Sequence, residues 1–342
     1  MSLTSSLIGA AERLPLSDAV VRAAIAQLCA RTARRMANGT SATDRTFADA
    51  MAARAVAEHT EAANAQHYEV PAAFFALVLG PQRKYSSCIY LKPETSLADA
   101  ETEALRQTIA HAGLIDGHDI LELGCGWGSL TLAMAKQFPG STIMAVSNSN
   151  SQRLYIESQA AERGLKNVVV VTRDMNLFEP GRQFDRVVSV EMFEHMMNWR
   201  LLMTRLRGWL KPGGRFFMHI FTHRAGAYLF DREDREDWIA QHFFTGGVMP
   251  SRTLIRQYAD LFTVEAEWRW SGTHYQRTAE DWLRNFDANR DAIREVLRPV
   301  YGLQTGLWMR RWRWFFLATS GLFGYRDGTE WGVSHYCLAP TE

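Results

Sequence analysis

Glu191, Glu194 and His195 stand three and four residues apart, directly after the apolar-rich stretch Phe184–Val190. If this segment is helical, positions i, i+3 and i+4 share one face. Two carboxylates and an imidazole on one face can hold a cation and remove a proton from it. The imidazole has the intrinsic pKa range of a general base. The same residues could also form a capping cluster on a surface turn. A second chemical feature is the run Ile120 to Leu130, in which Gly124, Gly126 and Gly128 occupy alternate positions. Glycines there let the backbone approach a ligand, with helix N–H groups behind them. A dinucleotide loop would need a glycine at position 129 and an acid about 20 residues on. Ser129 stands at the first place, and the next strand ends in Ser147-Asn148-Ser149, without an acid. NAD is therefore disfavoured.

Glu122-x-Gly124-x-Gly126-x-Gly128 instead resembles the loop of S-adenosylmethionine-dependent methyltransferases. That ligand carries no phosphate, so the loop would meet its amino acid and ribose portions. Ser147, Asn148 and Gln152 lie where polar side chains could hold ribose hydroxyls. Asp174 and Met175 follow the third strand, where a carboxylate and an apolar side chain could bracket adenine. Tyr85, Ser86 and Ser87 lie upstream and could meet the methionine carboxylate; Tyr85 and Ser86 are counted with the donor site, Ser87 with the acceptor pocket.

The elements that must position these residues read as alternating strand and helix. A helix over 96–112 opens on Ser96-x-x-Asp99, a capping pattern. Strands are expected at 119–123, 142–147, 167–172, 185–190 and 215–221, with helices at 128–138, 150–163 and 199–210 between them. Such alternation implies a doubly wound, mostly parallel α/β sheet, with ligands beyond the carboxyl ends of its strands. Further on, a short helix covers 251–258 and a strand 262–270. Thr278-x-x-Asp281 is expected to cap a long helix ending before Pro299. Another helix spans 303–322, and the last strand is 333–338. Residues 1–66 read as helical, with one helix over Ser17–Met36, a loop from Gly39 to Arg45 and a second helix over Phe47–Ala62. They form either a cap on the main domain or a packing or dimerisation arm. The expected organisation is thus an N-terminal helical segment at 1–66, a core at 67–225 and a remainder at 226–342. The remainder carries a helical insertion at about 276–325.

At 342 residues, 47% hydrophobic and 22% charged, the chain has ordinary globular composition. Its formal charge of +1 offers no footprint for nucleic acid. Cys29, Cys88, Cys125 and Cys337 are scattered without metal-ligand spacing, which suits a reduced, cytoplasmic protein. No apolar run reaches the ~18 residues of a spanning helix, and no signal peptide is evident. His219, His223, His242 and His274 lie on separate elements, so no metal is expected. Trp308 to Phe316 is dense in aromatics and arginines. It could be core, line a pocket for an aromatic amine through cation–π contacts, or lie on a membrane surface. Neutral net charge weighs against the membrane.

His67 to Pro71, Tyr85 to Tyr90, the glycine loop and Glu191 to Met196 together resemble the cyclopropane fatty acid synthase superfamily. Within it, His242 to Pro250 and Phe323-Gly324-Tyr325-x-x-Gly328-x-Glu330-Trp331 resemble the coclaurine N-methyltransferase branch. The resemblance covers about residues 60–338. It implies a Rossmann-like class I methyltransferase with helical insertions over the acceptor pocket, S-adenosylmethionine as donor and often a homodimer. In the branch, positions matching Glu191, Glu194 and His195 are the acid/base residues. The expected acceptor is a small apolar or aromatic amine, in a pocket of Ser87, His219, Phe221, Tyr275, Trp312 and Phe315. The other chemistry is C-methylation or cyclopropanation of unsaturated acyl chains. The synthases match this chain at Glu194, His219 and Tyr275, which hold their bicarbonate base. Two departures oppose it. Ser87 replaces the cysteine of the bicarbonate site, and Glu191 adds a charge where those enzymes usually have glycine. Ser87 departs from the N-methyltransferase branch as well. A non-catalytic binding protein is the third reading, against which the intact loop, Glu191 and His195 argue.

Overall fold

The computed structural model describes residues 11–12, 14, 16–58, 70–233 and 237–342. The chain opens with α1 (Asp18–Met36), α2 (Ser41–Ala52) and α3 (Ala72–Val78). The alternating core follows: α4 (Leu97–His111), β1 (Asp119–Leu123), α5 (Ser129–Gln137), β2 (Thr142–Ser147), α6 (Asn150–Glu162), β3 (Val168–Thr172), β4 (Phe184–Val190), α7 (Trp199–Trp209) and β5 (Leu210–His223). Two short strands, β6 (Tyr228–Leu229) and β7 (Val248–Met249), flank α8 (Trp238–His242). The chain then forms β8 (Phe262–Ser271), three helices, α9 (Gly272–Ala288), α10 (Arg290–Tyr301) and α11 (Thr305–Gly324), and β9 (Trp331–Pro340).

One seven-stranded sheet runs in the order β3-β2-β1-β4-β5-β9-β8. β1 to β5 are parallel: helices return the chain between β1 and β2, β2 and β3, and β4 and β5, while an irregular segment joins β3 to β4; β9 and β8 add antiparallel. Strands buried on both faces read as apolar runs, and β1 obeys this past its partly exposed first residue Asp119 except for Glu122, a buried carboxylate. Strand order reverses at β1, with β2 on one side and β4 on the other. That switch point is where the carboxyl ends part and leave a crevice. Helices α9 to α11 are inserted between β8 and β9. With α1 and α3 they bury an aromatic cluster that includes Phe74, Phe75, Trp282, Trp312 and Phe316.

Several expectations are corrected at the level of elements. α2 starts at Ser41, within the expected Gly39–Arg45 loop, because Thr40 and Thr43 form a reciprocal capping box. Residues 59–62 of the expected helix and His67 to Glu69 of the motif lie outside the described residues. The helix expected to start at Thr278 starts at Gly272, capped by Ser271. Thr278 instead sits mid-helix, its hydroxyl donating to the His274 carbonyl and accepting from Cys88 N–H. The break falls at Asn289, not before Pro299, which α10 accommodates near its end. Among the described residues no helix is long and apolar enough to cross a membrane, and all four cysteines are free thiols.

Candidate active site

The crevice at the switch point holds a cavity of about 210 Å³. Its first wall is the turn from β1 into α5. Gly124, Gly126 and Gly128 all have positive φ (76°, 52° and 77°), a conformation that strains any residue with a Cβ. Gly124 and Cys125 anchor the turn by donating to the Val146 carbonyl at 3.0 and 2.9 Å. The three glycines then divide in role. A Cβ at Gly124 would come within 2.5 Å of Met192 Cγ, and one at Gly128 within 2.6 Å of Ile156 Cγ1. A Cβ at Gly126 would meet nothing within 4 Å, because its backbone borders the cavity. Gly128 is not among the cavity residues, and its lack of a side chain is required by close packing against Ile156 of α6.

The other expected donor-site residues all line the cavity: Tyr85, Ser86, Glu122, Ser147, Asn148, Gln152, Asp174 and Met175. Ser147 donates to Gln152 Oε1 at 2.7 Å, and Asp174 accepts from Asn176 N–H at 2.7 Å. These bonds fix the two loops that follow β2 and β3. Glu122 accepts from Thr131 Oγ1 at 2.5 Å, and burial raises its carboxyl to about 8. Bare backbone at Gly126, polar side chains after β2, the Asp174–Met175 pair and the buried Glu122 suit an adenosyl amino acid. These residues would hold S-adenosylmethionine, which supplies a methyl group on a positively charged sulfur.

The second wall is the chain after β4, and here the helical premise fails. Glu191 has φ 46° and starts a sharp turn, and only Phe193–His195 forms a single 3-10 turn. The three residues therefore do not share a face. Glu191 lines the cavity. Its Oε1 accepts from Ser87 N–H at 3.0 Å and pairs with His219 Nε2 at 3.2 Å, and its Oε2 accepts from Tyr275 OH at 2.7 Å. Burial raises its carboxyl above the usual range, and the nearby Lys84 ammonium opposes the rise. Glu194 lies behind the wall, fully buried. Its Oε1 accepts from Phe221 N–H at 2.8 Å, while Oε2 has no partner among the described residues. Burial, then the neighbouring Glu191, push its carboxyl well above the usual range. His195 lines the cavity, its ring 4.3 Å from that of Phe244.

The expected acceptor pocket divides as well. Phe221, Tyr275 and Phe315 line the cavity. Ser87 and His219 stand one layer back and act on it through Glu191. Trp312 is a core residue, packed between Phe74 and Phe243 at ring separations of 4.6 and 4.9 Å. The arginines of this stretch are paired within the chain. Arg311 pairs with Glu12 at 2.9 Å, and Arg313 with Asp18 and Asp287. The four histidines are not all on separate elements, since His219 and His223 both lie on β5; they bond to different partners, His223 to Glu330 at 3.1 Å and His274 Nδ1 accepting from Tyr90 N–H at 3.2 Å.

Sequence reasoning passed over two residues. Lys84 is buried, its ammonium donating to Ser86 Oγ at 2.5 Å and to the Ser87 carbonyl at 2.6 Å. It thereby shapes the loop that feeds N–H to Glu191. A lysine directly before the Tyr85-Ser86-Ser87 motif was the available signal. Phe244 lines the cavity against His195 and belongs to the His242–Pro250 motif.

A doubly wound sheet with this loop, these second- and third-strand ends and this cavity defines a class I S-adenosylmethionine-dependent methyltransferase. Comparison with known proteins agrees. The family model for mycolic acid cyclopropane synthetase matches residues 56–324, and the chain belongs to that family. (S)-Coclaurine N-methyltransferase from Thalictrum flavum subsp. glaucum is 35% identical over 289 residues, covering 82% of this chain and 79% of that protein. The crystal structure of coclaurine N-methyltransferase bound to N-methylheliamine and SAH superposes with a TM-score of 0.90 at 31% identity, covering 94% of this chain and 95% of that one. Cyclopropane-fatty-acyl-phospholipid synthase from Escherichia coli (strain K12) is 28% identical over 272 residues, covering 78% of this chain and 66% of that protein.

Proposed function

We propose that this methyltransferase N-methylates a small amine with an apolar or aromatic body. The carrying observation is the carboxylate of Glu191. His219 and Tyr275, which the family resemblance assigns to a bicarbonate base in ring-forming enzymes, both hydrogen-bond to Glu191 instead. The Glu191 side chain takes both of those hydrogen bonds and puts a carboxyl, negatively charged when ionised, at the cavity wall. A buried carboxylate beside apolar walls is costly unless a cation joins it, so the site favours an ammonium over an acyl chain. Phe221, Phe244, Phe315 and Tyr275 supply faces for the cation and its apolar body.

In this reading, methyl transfer needs a neutral nitrogen lone pair in line with the donor methyl. His195, at the cavity wall, takes the proton from the bound ammonium. Glu191 holds the nitrogen in place and offsets the positive charge that returns to it once the methyl is attached. Glu194 is a positioning residue: it ties the turn after β4 to β5 through Phe221 N–H. Gly124, Gly126, Glu122, Ser147, Asn148, Gln152, Asp174, Met175, Tyr85 and Ser86 form the donor half.

The test supplies S-adenosylmethionine labelled in its methyl group. One arm contains (S)-coclaurine and the other vesicles of unsaturated phosphatidylethanolamine and phosphatidylglycerol, with products separated by mass spectrometry. Label in the amine is expected. Label in the lipid, with none in the amine, overturns the proposal in favour of acyl-chain methylation or cyclopropanation.

A further inference from the structure

Beyond Glu191, three histidines form an unbroken hydrogen-bonded row. His219 Nε2 stands 3.2 Å from Glu191 Oε1. His219 Nδ1 is 2.8 Å from His335 Nε2, and His335 Nδ1 is 2.8 Å from His111 Nδ1. His219 and His335 are fully buried and directly opposite each other in the β5–β9 ladder. His111 ends α4, is partly exposed, and stacks on Trp268 at a ring separation of 4.0 Å. Trp268 is in turn the β8 partner of His335. The row thus runs from the cavity wall across the sheet to a ring that water reaches.

Each ring turns one nitrogen toward Glu191 and the other away. A neutral imidazole carries a single N–H, so the tautomers along the row are linked. With Glu191 ionised, one assignment satisfies every bond. His219 Nε2–H donates to Glu191, His335 Nε2–H to His219 Nδ1, and His111 Nδ1–H to His335 Nδ1. With Glu191 protonated, the opposite assignment does. Burial holds His219 and His335 well below the usual imidazole range, so both rings are neutral and the linkage applies. Besides the rings themselves, Lys84 acts on His219, His335 and Glu191, Arg106 acts on His111, and Glu191 is faced by the buried Glu194 carboxyl and by Tyr275 OH.

We propose that His219, His335 and His111 conduct protons between the Glu191 carboxyl and solvent, so that Glu191 is charged and discharged while ligands fill the cavity. In discharge, the carboxyl proton moves to His219 Nε2. The His219 Nδ1 proton moves to His335 Nε2, the His335 Nδ1 proton to His111 Nδ1, and the His111 Nε2 proton to water. One bond to hydrogen breaks and one forms at each hop, every ring ends neutral in its other tautomer, and no ring turns over. The row gives the carboxyl at the cavity wall a route to bulk water that does not pass through the cavity. The inference rests on Glu191 standing at the acceptor site, not on the acceptor being an amine.

The test uses full-length protein saturated with S-adenosylhomocysteine and no acceptor, so it is independent of any result with coclaurine. Long-range proton–nitrogen spectra of histidine-labelled protein are recorded across pH. His219, His335 and His111 are expected to exchange tautomers with one common midpoint, coincident with loss of the Glu191 carboxyl infrared band. Glu191→Gln locks the tautomers. Rings that stay fixed while that band titrates, or that change with separate midpoints, overturn the proposal. A pH jump followed at the same band reads conduction. His111→Phe keeps the stack on Trp268 and removes the outer carrier, and is expected to slow the response by roughly tenfold, modest beside what positioned proton carriers contribute. An unchanged rate overturns the proposal as well.

Discussion

Replacing Glu191 by Gln removes a charge and little else. The amide oxygen still accepts from Ser87 N–H, and Tyr275 OH can rotate to accept from the new NH2 group. For an ammonium held about 5 Å away in surroundings of effective dielectric about 20, the lost attraction is about 3 kcal/mol. That corresponds to about 150-fold in kcat/KM. Stability moves the other way. The folded-state carboxyl is raised above its unfolded value by burial, so this residue costs stability at every pH above the unfolded pKa, and Gln removes the cost. The expected pattern is a large fall in coclaurine methylation, an unchanged affinity for S-adenosylhomocysteine by calorimetry, and a melting temperature at or above that of the parent. A fall of less than about threefold (under 1 kcal/mol) would refute the cation pairing. A large fall accompanied by a lower melting temperature would refute the account of a desolvated, destabilising charge.

Other outcomes follow from the same geometry. His195→Ala should lower kcat by about 10²–10⁴-fold while S-adenosylhomocysteine still binds; full turnover in that variant excludes His195 as the base. Gly126→Ala and Gly128→Ala share the strain of a positive φ, roughly 1–2 kcal/mol, but only the latter collides with Ile156. Gly126→Ala should chiefly weaken donor binding by calorimetry, and Gly128→Ala should chiefly lower the melting temperature; the reverse order contradicts the division of roles. Glu122 titrates near 8 when folded, against 4.5 for the ordinary carboxyl. Its burial therefore costs no stability below about pH 4.5, and the cost grows until about pH 8. Melting curves of the ligand-free Glu122→Gln variant should lose that part of the decline, and an identical slope in both proteins counts against it.

What the chain makes legible on its own is local. A glycine at alternate positions after an apolar run demands a left-handed turn, because only glycine takes those φ values without strain. The strand and helix periods follow from which faces are buried. Hence the parallel core, the donor loop and the polar residues past β2 and β3 were readable, with errors at element ends. Thr40 and Ser271 won as caps over the expected starts because their side chains reach the free N–H groups of the first turn.

The acceptor half was less legible, since its residues meet only after folding. Glu191, Glu194 and His195 are close in sequence, but the positive φ of Glu191 sends them to a cavity wall, a buried layer and an aromatic face. Trp312 and Phe315 neighbour each other on one helix, yet the packing of Phe74 and Phe243 around Trp312 keeps it in the core while Phe315 borders the cavity. Ser87, His219 and Tyr275 converge on one carboxylate from three distant elements. The registers of β5, β9 and β8 set His219 and His335 side by side, with Trp268 next to them to seat His111. Residue types and the local turns they require were written in the chain; which side chains share a charge or a proton was decided by strand register and helix packing, because those contacts have no sequence spacing.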